Sequence, residues 1–281
     1  MKRLAIGTIV MGLLAGIVVH GQQAAPPQGQ GASRGPAPRA PAPAPRWPDG
    51  RISFSGSPKD VGNWEGPANA SIFFDIADGK QVRPAASLAT NKSVDEIPFA
   101  PGMRKLYDSR ADHSKDPHSR CKPSGGARFW HTPYGIEIID LPETKEIIFL
   151  HVGAPHSWRI AYLDGREHPK DPKPMWYGHT TGKWQGDTLV MDTVGFNGRF
   201  WLTREGVPAT SKLHLIEKMS RPNHDELRYE ATVDDPGAYT APWSGGWNLR
   251  WGEGNEPFDY LCQENNRDPA RMIGGNVDAR P

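Results

Sequence analysis

Arg159, Asp192 and Glu217 are charged side chains set in strand-like rows that are otherwise apolar. In Ser157–Leu163 a period of two places Trp158, Ile160 and Tyr162 on one face and Arg159, Ala161 and Leu163 on the other. In Lys212–Ser220, Glu217 shares its face with Leu213, Leu215 and Met219, opposite His214, Ile216 and Lys218. Asp192 lies between Val190 and Val194. A charged group in an apolar row must be paired, solvated by a pocket or shifted in pKa. His179 stands on a polar segment just before the Asp192 strand. A carboxylate, an imidazole and a guanidinium around one cavity could bind an anionic substrate and move a proton. His179 with Glu217 or Asp192 is therefore the candidate catalytic set, and Arg159 a candidate ligand contact. In the alternative, His179 caps a turn while Arg159 and Glu217 pair with each other.

Aromatic residues offer a second route to function. The chain holds 10 tryptophans, several in or beside the strands, and indoles stack on sugars and flat apolar ligands. Trp201 and Trp243 sit by loops and are, with Asn197, the other candidate ligand contacts; the alternative for any one tryptophan is a place in the core. Of the 10 histidines, His131, His151, His156, His168 and His179 fall in one stretch, but none shows the spacing of a metal motif. No metal and no cofactor is expected. No Gly-x-Ser-x-Gly elbow stands among the strand runs, and Gly178–Gly186 reads as a turn between strands, which excludes a phosphate-cradling loop at a helix start.

These residues are carried by a chain in five parts. Met1-Lys2-Arg3, the apolar run Leu4–Val19, and small residues at Val19 and Gly21 read as a signal peptide over 1–21, cleaved before Gln22. Residues 22–50, rich in Pro and Ala, read as a disordered tether. Residues 51–133 form an irregular segment with one short helix between Pro98 and Asp112. Residues 134–266 alternate strand runs with turns: Ile136–Leu141, Glu146–Val152, Ser157–Leu163 closing on Asp164-Gly165, Thr188–Val194, Lys212–Ser220, Glu226–Val233, Gly246–Trp251 and Pro257–Cys262. Residues 267–281 read as a flexible tail. Short connections force antiparallel neighbours, so the expected fold is mainly β: an antiparallel meander curved into an open sheet or a closed, lipocalin-like barrel. A net charge of +1 gives no electrostatic case for nucleic acid, and no apolar stretch follows the signal to hold the chain in a membrane. Cys121 and Cys262 form one disulfide in an oxidising compartment, or stay as two separate buried thiols.

Several phrases recur together in one family. They are Lys115–Cys121 with Pro123, Tyr162–Pro169, Gly182–Thr193 with Gly195-Phe196-Asn197, His214–Lys218, Tyr239–Trp243 and Cys262–Asn266. In these the chain resembles a large family of exported proteins from soil bacteria, especially acidobacteria. The resemblance covers nearly all of the domain and implies export to the periplasm or beyond, without implying an activity. The chain departs from the pattern at Ser124–Arg128 and His151–His156. The expectation for function is a small organic ligand, aromatic, glycosidic or lipid-like, held in a pocket of the curved sheet. The alternatives are an acid–base hydrolase, lyase or isomerase, and an envelope scaffold without a small-molecule site.

Overall fold

The structure, a computed structural model, describes residues 41–56, 59–66, 71–77, 80–82, 86–131, 135–151 and 157–262. The signal-peptide and C-terminal-tail readings, most of the tether, and His156 lie outside the described residues.

The elements in chain order are β1 Gly62–Glu65, β2 Phe73–Ala77, β3 Lys80–Val82, β4 Lys92–Ser93, α1 Met103–Asp108, β5 Ile136–Leu141, β6 Glu146–His151, β7 Ser157–Tyr162, β8 His179–Gln185, β9 Thr188–Val194, β10 His214–Asn223, β11 Glu226–Asp234 and β12 Trp243–Glu253. Nine of them close a barrel in the order β1-β12-β11-β10-β9-β8-β7-β6-β5, with Trp64 on β1 opposite Ile136 on β5 sealing the ring. Strands β3, β2 and β4 form a separate small sheet. Burial alternates along β9, β10 and β11 as it must when one face of a strand meets the core and the other meets solvent.

The expected mainly-β fold is the one observed, with two differences. One pair in the wall is parallel: Ala161 and Tyr162 of β7 face Thr180 and Thr181 of β8. The Asp164-Gly165 turn therefore does not close a hairpin. Parallel neighbours need a long connection, and residues 163–178, punctuated by Pro169, Pro172 and Pro174, supply it. The second difference is β8 itself. Its sequence, HTTGKWQ, lacks apolar alternation, yet it pairs with β9 along its whole length and turns into it through Gly186, whose φ of +59° suits a two-residue hairpin. Pro257–Cys262, expected as a strand, is not one.

The barrel interior is filled with side chains. A 3₁₀ segment, Gly126–His131, enters it with all six residues buried. Trp130 packs edge-on against Phe149 at 5.0 Å and lies 5.3 Å from Tyr229, which in turn lies 4.9 Å from Trp247. Residues near Ile72 approach the inward row of β12 (Trp243, Gly245, Trp247) so closely that a Cβ on Gly245 would stand 1.7 Å from the Ile72 carbonyl oxygen. Residues 41–50 also lie against the barrel. His224 N–H donates to the Ala42 carbonyl at 2.8 Å and Arg46 pairs with Asp187 at the β8–β9 turn. The last part of the expected tether thus belongs to the domain. Cys121 and Cys262 are joined as a disulfide, which ties the loop before the 3₁₀ segment to the chain beyond β12.

Candidate functional site

The charged residues singled out above separate onto two sides of one wall. Glu217 points into the barrel with no exposed surface. Its carboxylate pairs with Arg159 of β7: Nη1 donates to Oε1 at 2.9 Å and Nη2 binds Oε2. Trp130 Nε1 and the Tyr229 hydroxyl each donate to Oε1 at 2.9 Å. Arg159 completes its set on two threonines, with Nε donating to Thr180 Oγ1 at 3.0 Å and Nη2 to Thr193 Oγ1 at 2.7 Å. Burial, reinforced by the adjacent Glu217 charge, holds the Tyr229 phenol well above its ordinary pKa, so it stays a donor. Every strong donor and acceptor of the pair has a partner, as a buried ion pair requires. Arg159 and Glu217 thus take the alternative foreseen for them and pair internally. Neither reaches His179.

Asp192 faces outward, with 44% of its side chain exposed. The row it shares with Val190 and Val194 is the outer row of β9; the inner row is Leu189, Met191 and Thr193. Around it the wall assembles three imidazoles from separate parts of the chain. His168 comes from the β7–β8 connection, His179 opens β8, and His214 opens β10. The Asp192 carboxylate oxygen Oδ1 stands 3.0 Å from His168 Nε2 and 2.8 Å from His214 Nε2. On its other side His168 Nδ1 lies 2.9 Å from His179 Nδ1. The His179 ring stacks on Tyr162 at 5.4 Å, and Arg166 covers the other part of that tyrosine at 3.9 Å while binding Asp164.

With both imidazoles neutral, the hydrogen bonds fix the tautomers. A carboxylate only accepts, so neutral His168 carries its proton on Nε2 and presents a lone pair at Nδ1. His179 must then donate from Nδ1, which leaves its Nε2 as an unprotonated base. That atom has no hydrogen-bond partner among the described residues. Partial burial, with the neighbouring His168 and Arg166 adding to it, lowers the His179 pKa below the ordinary imidazole value. The base is thus neutral at pH 7. When His168 takes up a second proton it donates from both nitrogens, and the proton on His179 moves to Nε2. The three groups form a relay along which one proton can pass.

The remaining candidates make their contacts elsewhere. Trp201 is buried beneath Arg110, whose guanidinium lies 4.9 Å over the ring. Trp243 is buried edge-on against Tyr239. Both had been expected as ligand contacts because loops flank them; both side chains are buried. The Asn197 side-chain oxygen accepts the Arg199 N–H at 2.9 Å within its own turn. The tryptophan that does face solvent is Trp158, 62% exposed on β7. His168 and His214 were missed as site residues. His168 lies in a loop with no periodicity, and His214 is assigned to the outer face by alternation but gains meaning only once Val194 is seen between it and His179 in the register.

Among the described residues no group of three His, Cys, Asp or Glu side chains is arranged to hold a metal ion, and no helix is long and apolar enough to cross a membrane. Comparison of the chain with protein-family models, with curated proteins and with solved structures returns no match.

Proposed function

We propose that the domain is an exported proton-transfer catalyst of the hydrolase, lyase or isomerase type, with His179 Nε2 on the outer wall of the barrel as its base. The observation that carries this reading is the hydrogen-bonded series Asp192–His168–His179, which leaves one neutral imidazole nitrogen unengaged and backs it with a carboxylate. In the forward step His179 takes a proton from a bound small organic substrate at Nε2 and passes its Nδ1 proton to His168, whose charge Asp192 balances. Inside the barrel the two charged groups, Arg159 and Glu217, are engaged by each other, and the neutral base faces outward, so the substrate is placed on the outer wall beside Tyr162. Export is inferred from the signal-like residues 1–21 and agrees with a domain closed by a disulfide.

Nitrogen NMR of the three imidazoles tests the reading. In the folded protein at pH 7.5, His179 should carry its proton on Nδ1, and Asp192→Asn should abolish that preference. A His179 protonated on Nε2, or one indifferent to Asp192, overturns the relay. A panel of small carbonyl compounds, esters and sugar acids followed in D₂O should then show one substrate whose exchange or cleavage falls by about a hundredfold or more in His179→Gln.

A further inference from the structure

We infer that the substrate of this site is an organic anion, and that Lys183 and Lys218 clamp its negative group over Val190. The inference rests on the proton-transfer reading for the reacting end and on independent residues for the anionic end. Lys183 of β8 and Lys218 of β10 are both register partners of Val190, one on each side. The three therefore stand in one row across the outer face, with the two lysine backbones about 10 Å apart on strands spaced by roughly 4.8 Å. Both lysines are exposed, and neither forms an ion pair among the described residues. The carboxylates nearest in the sheet have other partners: Asp192 meets His168 and His214, Glu230, opposite Lys218 on β11, meets Arg228 at 3.5 Å, and Asp164, beyond the end of β7, is bound by Arg166.

This pair stands in register with the relay. Asp192 is two residues from Val190 on the same face of β9, which places the carboxylate row about 7 Å from the lysine row. An anion between the two ammonium groups is held at a fixed distance from the relay, with its body lying along β9 toward His168 and His179. The geometry selects molecules whose carboxylate or phosphate is separated from the reacting hydrogen or bond by about 7–10 Å, the length of a phosphorylated or carboxylated sugar or aryl compound. Val190 between the lysines offers an apolar floor, which lowers local dielectric and favours charge pairing over it.

Phenyl phosphate, followed by amide NMR on the full disulfide-bonded domain, is the probe. Binding should shift the amides of Lys183, Val190 and Lys218 saturably, with a dissociation constant of about 1–10 mM and a clear weakening in added salt. The double variant Lys183→Gln/Lys218→Gln should bind at least about fivefold more weakly, the loss expected of two exposed ion pairs, while Lys183→Arg/Lys218→Arg should retain binding. Shifts that fail to saturate, that fall elsewhere on the barrel, or that survive the double Gln variant unchanged overturn the clamp. A relay disproved by its tautomers with the clamp intact refutes the catalytic reading alone.

Discussion

Glu217→Gln should destabilise the domain by about 3–5 kcal/mol, the cost of leaving the buried guanidinium of Arg159 without its counter-ion. Glu217 Oε1 accepts from Arg159, Trp130 and Tyr229, and Oε2 meets Arg159 Nη2. A glutamine can keep one oxygen at the Oε1 position and so retain three acceptor contacts in weakened form. Its amide then faces Arg159 Nη2 with two donors opposed. Arg159 has no exit, since its side chain is buried and Thr180 and Thr193 offer only neutral oxygens. For a domain of this size each kcal/mol lowers Tm by roughly 2–4 °C, so the variant should melt some 6–20 °C below the parent. The double replacement Arg159→Met/Glu217→Leu removes both charges at similar volume and should recover most of the loss, leaving Trp130 Nε1 and the Tyr229 hydroxyl as the residual deficit of about 2 kcal/mol. Denaturant unfolding of the parent, Arg159→Met, Glu217→Leu and the double variant measures the coupling. A single-variant loss below about 1 kcal/mol, or a double variant no better than Glu217→Gln, would refute the closed network.

Three further outcomes are expected. Burial, with Arg128 adding its charge, pushes His118 down to about 4, so between pH 6.5 and 4 the unfolded chain binds a proton that the folded one does not. Stability should fall by up to about 3 kcal/mol over that interval, and His118→Asn, whose side-chain oxygen can still meet Ser124, should flatten the profile; His224, held above its ordinary value by Asp225 and Asp60, works in the opposite sense and is the control. Reducing Cys121–Cys262 releases a constraint spanning 141 residues, for which loop entropy sets a ceiling of about 5 kcal/mol, and a loss of less than about 1 kcal/mol in reductant would show that both ends stay docked unaided. His168→Leu should raise the His179 pKa, because it removes the second-largest influence lowering it, while burial keeps it below the ordinary value; proton NMR titration reads this, and a downward move would contradict the geometry.

Strand periodicity carries information about which face a residue takes, and here it carried β5, β9 and β11 almost to the residue. It assigned Glu217 to an inward row because Leu215 and Met219 flank it. It misassigned Asp192, because Val190 and Val194 look like core yet β-branched residues suit an outward strand face equally well. Strand β8 escaped because Thr180, its one buried residue before Gly182, is polar, and that threonine is needed to bind Arg159. The partners of Arg159 and Asp192 lie up to 58 residues away or across several strands, and only closure of the ring brings them together.

The interior network and the outer site are selected by the same register. Thr180 and Thr193, which hold Arg159 inside, are the chain neighbours of His179 and Asp192, which face out. Leu215, packed in the core, is the neighbour of His214. Side chains alternate with a period of two, so a one-residue slip of β9 would carry Asp192 into the apolar interior and turn Thr193 to solvent, breaking the ion-pair network and the relay together. The buried pair costs desolvation, yet it is a strong device against such a slip, because no neighbouring register offers Arg159 and Glu217 their hydrogen-bond partners. In that role, Arg159→Met/Glu217→Leu should fold with only its residual deficit of about 2 kcal/mol while the His168 and His179 signals broaden or double, as β8 and β9 sample more than one pairing. Single sharp imidazole signals in that variant, with the tautomers of the parent, would show that the outer site needs no such support from within.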